Sequence, residues 1–246
     1  MKNKIAIVVS SKEEAKQKEE FIQMLKDTCG CEYQLYFAYN AVGKSLTEVY
    51  NDFLNNKRLD EEIFVFIHDD IKFLKKNWGN EVLRLFNEHS DYGIIGVAGS
   101  STFGKEGMWW KDNTCYGQIL HRKDDKSWLT AFSDLYDEDL KETCTVDGLF
   151  IAVDRNRISN SFDTDFEGFN FYDISFCISN YIEGKCKIGV TTKIRIEHRS
   201  LGVLKSEWFK NHDLLNKKYS NYFPLNVNRD SHKRDKNTNK LIIKEW

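Results

Sequence analysis

The stretch IFVFIHDDI, residues 63 to 71, decides how this chain is read. Five apolar residues, Ile63 to Ile67, have the length and composition of a fully buried strand, and they end abruptly at His68, Asp69 and Asp70. Two adjacent carboxylates closing an inner strand are costly unless water, a metal or a ligand takes up their charge. In open α/β sheets the carboxyl edge of the strands is also where ligands bind. A hydrophobic strand that delivers acids to such an edge points to a divalent cation and a phosphate-bearing substrate. The alternative is a solvated pair of acids capping the next helix.

Working outward, the N-terminal half alternates strand and helix. Ile5 to Val9 is a compact apolar run, and Ser11 with Glu14 has the spacing of a capping box that opens a helix carrying Phe21, Ile22 and Leu25. Tyr33 to Phe37 reads as a second strand. Ser45 and Glu48 form another capping box, followed by Leu46, Val49, Tyr50, Phe53 and Leu54 at helical spacing. Trp78, Val82, Leu85 and Phe86 mark a third helix, and Gly93 to Ala98 a fourth strand. Such alternation predicts an α/β fold, a mostly parallel, doubly wound sheet flanked by helices.

After Gly99 the pattern changes. Residues 99–145 read as a long irregular region with Trp109, Trp110, Trp128 and the acidic DLYDEDLKE, the kind of segment that is more often functional than filler. VDGLFIAVDR, 146–155, reads as a strand, and a helix follows from about Asp173 to Tyr181. KIRIEH, 193–198, alternates like a strand with Ile194, Ile196 and His198 on one side. The expected organisation is one domain over 1–225, then a charged C-terminal tail (226–246) too polar to pack.

The bulk numbers agree with a single large domain. The chain has 246 residues, 41% hydrophobic and 14% aromatic, which supplies a real core. A net charge of −2 gives no general attraction to nucleic acid or anionic membrane. The longest apolar runs fall far short of the roughly 20 residues a bilayer helix needs. The first residues, MKNKIAIVVSSKEE, turn charged too soon for a signal peptide, so a cytoplasmic protein is expected, at most peripheral to the inner membrane. The six cysteines lack a disulfide framework or zinc spacing and read as free thiols.

The order YNAVGKSLTEVYN, FVFIHDDI, GIIGVAGS with GMWW, VDGLFIAVDR, FNFYDISFC and IRIEHRSLG resembles the bacterial family 2-like glycosyltransferases over roughly residues 4–222. Each motif alone is weak, and it is their shared order that carries the resemblance. It implies the glycosyltransferase A fold with a Rossmann-like nucleotide-binding half (1–100) and an acceptor half (101–225), a nucleotide-sugar donor, a carbohydrate or glycoconjugate acceptor, and Mn²⁺ or Mg²⁺ bound by an Asp-x-Asp motif. Carboxylates suit hard divalent cations that also accept phosphate oxygens. Here the triplet is His68, Asp69, Asp70, with histidine in place of the first acid. The resemblance makes Asp70 and His198 the metal ligands, imidazole being a suitable ligand for Mn²⁺. Asp69 is expected to contact the ribose or a metal-bound water. His198, on an apolar strand, could instead be a core residue. Arg199 would offset diphosphate charge or lie on the surface.

The same resemblance makes Asp173 the base that deprotonates the acceptor hydroxyl, in an inverting reaction. A helix N-terminus favours the ionised carboxylate, although Asp173 could also be an N-cap. The usual Glu-Asp pair reads Tyr172-Asp173, with Asp163 and Asp165 as fallback acids. Ser10, Asn40 and Asn51 match donor-binding positions, along with His68, Asp69 and Asp70, while Asn51 also sits on the polar side of a helix. Trp109, Trp110, Asp147 and Gly148 match the acceptor side, with one tryptophan available for core packing.

Three function classes follow. The first is a metal-dependent sugar transferase of bacterial surface polysaccharide or glycoconjugate synthesis. The second is a glycosyltransferase-like module that binds nucleotide or sugar without turnover, suggested by the missing first acid and the altered Glu-Asp pair. The third is a metal-dependent phosphohydrolase or nucleotidyltransferase. The absence of P-loop and dinucleotide fingerprints argues against P-loop and dinucleotide chemistry.

Overall fold

The computed structural model describes residues 4–111, 114–134, 137–200 and 204–242. In chain order the strands are β1 (Lys4–Ser11), β2 (Glu32–Tyr39), β3 (Ile63–Ile67), β4 (Ile71–Phe73), β5 (Tyr92–Gly96), β6 (Ala98–Ser100), β7 (Thr102–Phe103), β8 (Cys115–Lys123), β9 (Lys126–Ala131), β10 (Lys141–Thr143), β11 (Thr145–Val146), β12 (Phe150–Asp154), β13 (Lys187–Val190), β14 (Ile196–His198) and β15 (Leu225–Asn226). The α-helices are α1 (Glu19–Thr28), α2 (Leu46–Leu54), α3 (Trp78–Glu88), α4 (Tyr172–Glu183), α5 (Ser206–Tyr219) and α6 (Val227–Asp230).

Seven strands form the main sheet in the order β10-β13-β5-β12-β3-β1-β2. β1, β2, β3, β5 and β13 run one way, and β12 and β10 run against them. The sheet is therefore mostly parallel, as the strand–helix alternation predicts. β3 lies inside it and all five of its residues are 0% exposed. That position explains an unbroken apolar run, since a strand covered on both faces has no side that prefers polar residues. Tyr50 of α2 meets Phe66 with ring centroids 4.6 Å apart, and Phe162 links Phe66 at 5.2 Å to Phe176 of α4 at 4.2 Å. Trp78 of α3 packs on Phe73 and Phe150 on the other side. Each such buried aromatic contributes about 1.5–3 kcal/mol through its apolar area.

A second sheet, β11-β6-β8-β14-β4 with β9 paired to β8, is built mostly from the region that reads as irregular. Its main ribbon escapes a sequence reading because β8 buries only Cys115, Gly117 and Ile119, small or weakly apolar residues, while β9 is exposed almost throughout. The apolar run at Gly93–Ala98 is also divided, β5 going to the main sheet and β6 to the second. KIRIEH contributes a strand only at Ile196–His198.

Two more expectations change. Ser11 is the last residue of β1, not a helix cap. The capping box is formed by Glu14 and Gln17 at the start of a short 3-10 turn, Ala15–Lys18, that leads into α1. The box at Ser45 and Glu48 does open α2. The C-terminal residues, expected to be a loose tail, dock through residue 242. β15 pairs with β7, and Asn226 caps α6 by accepting hydrogen bonds from the Asn228 and Arg229 amides. Arg234 donates to the Tyr181 carbonyl at 3.0 Å, and the amide of buried Leu241 donates to the Ile182 carbonyl at 2.8 Å. The tail thus satisfies carbonyls left open at the C-terminal end of α4, a job for polar groups that its charge conceals. Leu135 and Tyr136 of the acidic stretch and Leu201 and Gly202 of IRIEHRSLG lie outside the described residues.

Candidate active site

The reversal of β12 builds the site. Because Phe150 pairs with Ile67, the segment that enters β12, Asp147 to Leu149, reaches the same sheet edge that β3 leaves through His68, Asp69 and Asp70. The His68 amide donates to the Leu149 carbonyl at 3.2 Å and fixes the two segments together. After Asp70 the chain enters β4, which pairs antiparallel with β14 and sets His198 opposite Ile71. The Arg199 amide completes the junction by donating to the Asp70 carbonyl at 3.1 Å.

A cleft of about 900 Å³ opens over this edge. It is lined by Ser10, His68, Asp69, Asp70, Trp109, Trp110, Asp147, Gly148, Asp173 and His198, ten of the residues singled out in the sequence. Asn40 and Asn51 are not among the lining residues. The Asn40 side chain spans its own loop, accepting from the Lys44 amide and donating to the Lys44 carbonyl. Asn51 clamps the Phe162 backbone, donating to its carbonyl at 2.7 Å and accepting from its amide at 3.0 Å. Asp163 and Asp165 both pair with Lys218 at 2.6 Å, and Arg199 faces Glu197 at 3.6 Å.

His68, Asp70 and His198 bring one ligand atom each within 4.8 Å of one another. Asp70 and His198 form an ion pair at 3.4 Å. Burial pushes the Asp70 carboxyl up, but the hydrogen bond and charge of His198, with His68 and Ser200, outweigh it and hold the group well below the usual carboxylate range. Burial lowers the His198 pKa, and Asp70 more than reverses this. Burial also lowers His68, keeping it neutral, the form a metal ligand needs. Asp70 Oδ1 is buried and faces His198 Nε2 in a cluster of two imidazoles and a carboxylate. This donor set fits a divalent cation such as Mn²⁺. His68 thus stands beside Asp70 and His198, the pair expected to be ligands. Its Nε2 is 2.8 Å from the Tyr172 hydroxyl, which fixes the ring.

Asp69 turns the other way. Its Oδ2 accepts from Ser11 Oγ at 2.5 Å and pairs with Lys18 at 3.2 Å, so it closes the β1 end of the cleft. Ser11 and Lys18 are contacts that the capping-box reading of this segment hides.

Asp173 stands in the first turn of α4, two residues after the N-cap Phe171. Its Oδ2 accepts from the Gly148 amide at 2.8 Å and its Oδ1 from the Ile174 amide at 2.9 Å. Burial, reinforced by the charge of Asp147, pushes its pKa up to about 7 despite these bonds. Gly148 is required by the protein itself, since a Cβ there would run into the Tyr172 hydroxyl and Asp173. The tryptophan pair divides its work: Trp109 is 4% exposed and packs on Phe132, and Trp110 is 40% exposed at the cleft. His121, which no sequence motif marks, also lines the cleft beside His198, with ring centroids 6.0 Å apart.

Residues 5–222 match the sequence pattern of the glycosyltransferase-like family. No curated protein matches the chain in sequence. Among solved structures it is similar to GalNAc-T7 with UDP, GalNAc and Mn²⁺ (TM-score 0.54, 9% identity, 90% of this chain and 49% of that one). It is also similar to TarS residues 1–349 from S. aureus in complex with UDP (TM-score 0.50, 13% identity, 85% and 63%). A lower similarity joins it to the mannosyltransferase PcManGT from Pyrobaculum calidifontis in complex with GDP-Man and Mn²⁺ (TM-score 0.48, 12% identity, 85% and 60%). The chain spans between about half and five eighths of the length of these three proteins. No helix among the described residues is long and apolar enough to cross a membrane. With its family match, its mixed sheet and the sheet edge just described, the chain belongs to the glycosyltransferase-like family and has the glycosyltransferase A fold.

Proposed function

We propose that the protein transfers a sugar from a nucleotide-sugar donor to a hydroxyl acceptor, with inversion at the anomeric carbon and with Mn²⁺ or Mg²⁺. The observation that carries this reading is the convergence of the His68, Asp70 and His198 cluster with the Asp173 carboxylate on one cleft. His68, Asp70 and His198 would hold the cation. When bound, it supplies positive charge against the departing diphosphate.

Asp173 takes the proton. Two backbone amides fix its carboxylate, and each oxygen keeps a lone pair for the acceptor hydroxyl. As the acceptor oxygen bonds to the anomeric carbon, the bond from that carbon to the diphosphate breaks and the proton passes to Asp173. A carboxylate with a pKa near 7 is a stronger base than an ordinary aspartate and is still ionised just above neutrality. Ser10 and Asp69 stand at the nucleoside end, and Trp110 and Asp147 on the acceptor side. In this reading the reaction takes place in the cytoplasm, at most peripheral to the inner membrane, in bacterial surface polysaccharide or glycoconjugate synthesis.

The test is a thermal-shift screen of nucleoside diphosphates and nucleotide sugars with and without Mn²⁺, because a ligand that prefers the native state raises its melting point. One nucleotide is expected to stabilise the protein only with Mn²⁺, and Asp70→Ala to abolish the effect. No shift with any nucleotide, in protein shown to be folded, would overturn the donor site. Hydrolysis of the donor without acceptor separates an enzyme from a binding module.

A further inference from the structure

Three rings leave the metal-ligand cluster in a line. His198 pairs with His121 across β14 and β8, and His121 with Trp128 across β8 and β9. Ring centroids are 6.0 Å apart in the first pair and 5.5 Å in the second, where indole and imidazole are stacked at 20°. Direct cross-strand neighbours share a face of the sheet, so all three rings are on the side where His121 and His198 line the cleft. His121 Nδ1 is buried with no hydrogen-bond partner, so stacking rather than a hydrogen bond at that nitrogen holds the ring. Trp128 ends the line 38% exposed, on a strand that is exposed along most of its length and contributes little to the core.

Two residues further along the strands, on the same face, Lys123 and Lys126 stand directly opposite each other, both exposed. Among the described residues neither makes an ion pair, with Asp124 and Asp125 of the connecting turn or with any other acid. Like charges in direct cross-strand register destabilise a ribbon, and an anion between them reverses the sign. A large aromatic plane beside a pair of unpaired ammonium groups suits a ligand with a flat C–H face and a negative substituent.

We propose that this face of the β8–β9 ribbon is an acceptor subsite for an anionic glycan: a sugar ring lies on Trp128, and its carboxylate or phosphate meets Lys123 and Lys126. The subsite rests on the transferase reading above and extends the same cleft past His121 to its rim. A uronic acid and a sugar phosphate share the required chemistry.

The experiment uses the full chain labelled with fluorotryptophan. The Trp128 ¹⁹F signal is assigned by Trp128→Phe and titrated with methyl glucuronide, glucose 6-phosphate and methyl glucoside. Either or both anionic sugars are expected to shift it with Kd of about 1–10 mM, and the neutral glycoside to bind about threefold to tenfold more weakly. Lys123→Gln with Lys126→Gln should remove that preference and leave nucleoside diphosphate binding with Mg²⁺ unchanged. Response to the glucuronide alone identifies a uronic acid, and response to the phosphate alone a sugar phosphate. If neither anion moves Trp128 in protein that still binds nucleoside diphosphate, or if only anionic lipid vesicles do, the subsite is overturned and the transferase reading stands. Failure of nucleoside diphosphate binding would strike the transferase reading instead, whatever the sugars do.

Discussion

The two sheets meet at one cleft but are made by different rules. In the main sheet, β1 and β3 hide their apolar residues at 0% exposure, and burial alone dictates Ile, Val and Phe. In the second sheet, β8 and β9 are half open, and the side chains that matter there, His121 and Trp128, are set by cross-strand neighbours. The main sheet carries the acids to an edge, and the second supplies His198 and the cleft's outer wall. Strands that bury a core declare themselves as apolar runs. Strands that bury little read as loops.

This contrast can be broken by experiment. The largest effect is expected at the junction: Asp173→Asn should lower kcat by about 10²–10⁴-fold while nucleoside diphosphate affinity is unchanged, measured by donor turnover and calorimetry. Normal turnover in that variant would remove the base assignment. In the main sheet, Phe66→Ala should cost about 3–5 kcal/mol in urea unfolding. Trp128→Ala in the second sheet should cost under about 1 kcal/mol, and similar losses for both would erase the distinction.

A smaller effect is expected between the sheets. Tyr172→Phe frees the His68 ring and should weaken Mn²⁺ binding by about 10–100-fold, read by electron paramagnetic resonance. An unchanged affinity would reduce Tyr172 to packing.

The subtlest test is pH. Asp173 has a pKa raised from 3.8 to about 7, so the folded state holds a proton that the unfolded chain has released. Its contribution to stability is complete below about pH 4 and is lost as pH rises through 7. Activity moves the other way: kcat/KM should rise through an acid limb near 7 as the base ionises. Asp173→Asn should flatten the stability profile over that interval, and an unaltered profile would assign the proton elsewhere.

Legibility follows the same division. The run at 63–67 exposes β3 because no polar residue is tolerated there, and the Ser45–Glu48 box marks α2 because its bonds are local. Asp70, Asp173 and His198 sit in short motifs, and the structure brings all three to one cleft. Asn40 and Asn51 match by position, but their amides are spent on the backbone, which spacing cannot show. His121 stayed hidden because a histidine in LHRK acquires meaning only when β8 is laid between β14 and β9. The docked tail is hidden for a related reason: its partners are carbonyls at the end of α4, invisible to any count of charges.

The reversed strand β12 also bears on how the chain is made. It sits between β3 and β5, yet residues 150–154 emerge more than fifty residues after β5 is complete. Throughout that interval of synthesis, two apolar strands of the nascent protein have uncovered edges, the templates on which chains associate wrongly. The first hundred residues are accordingly an unfinished sheet that closes only when the second half threads a strand through it.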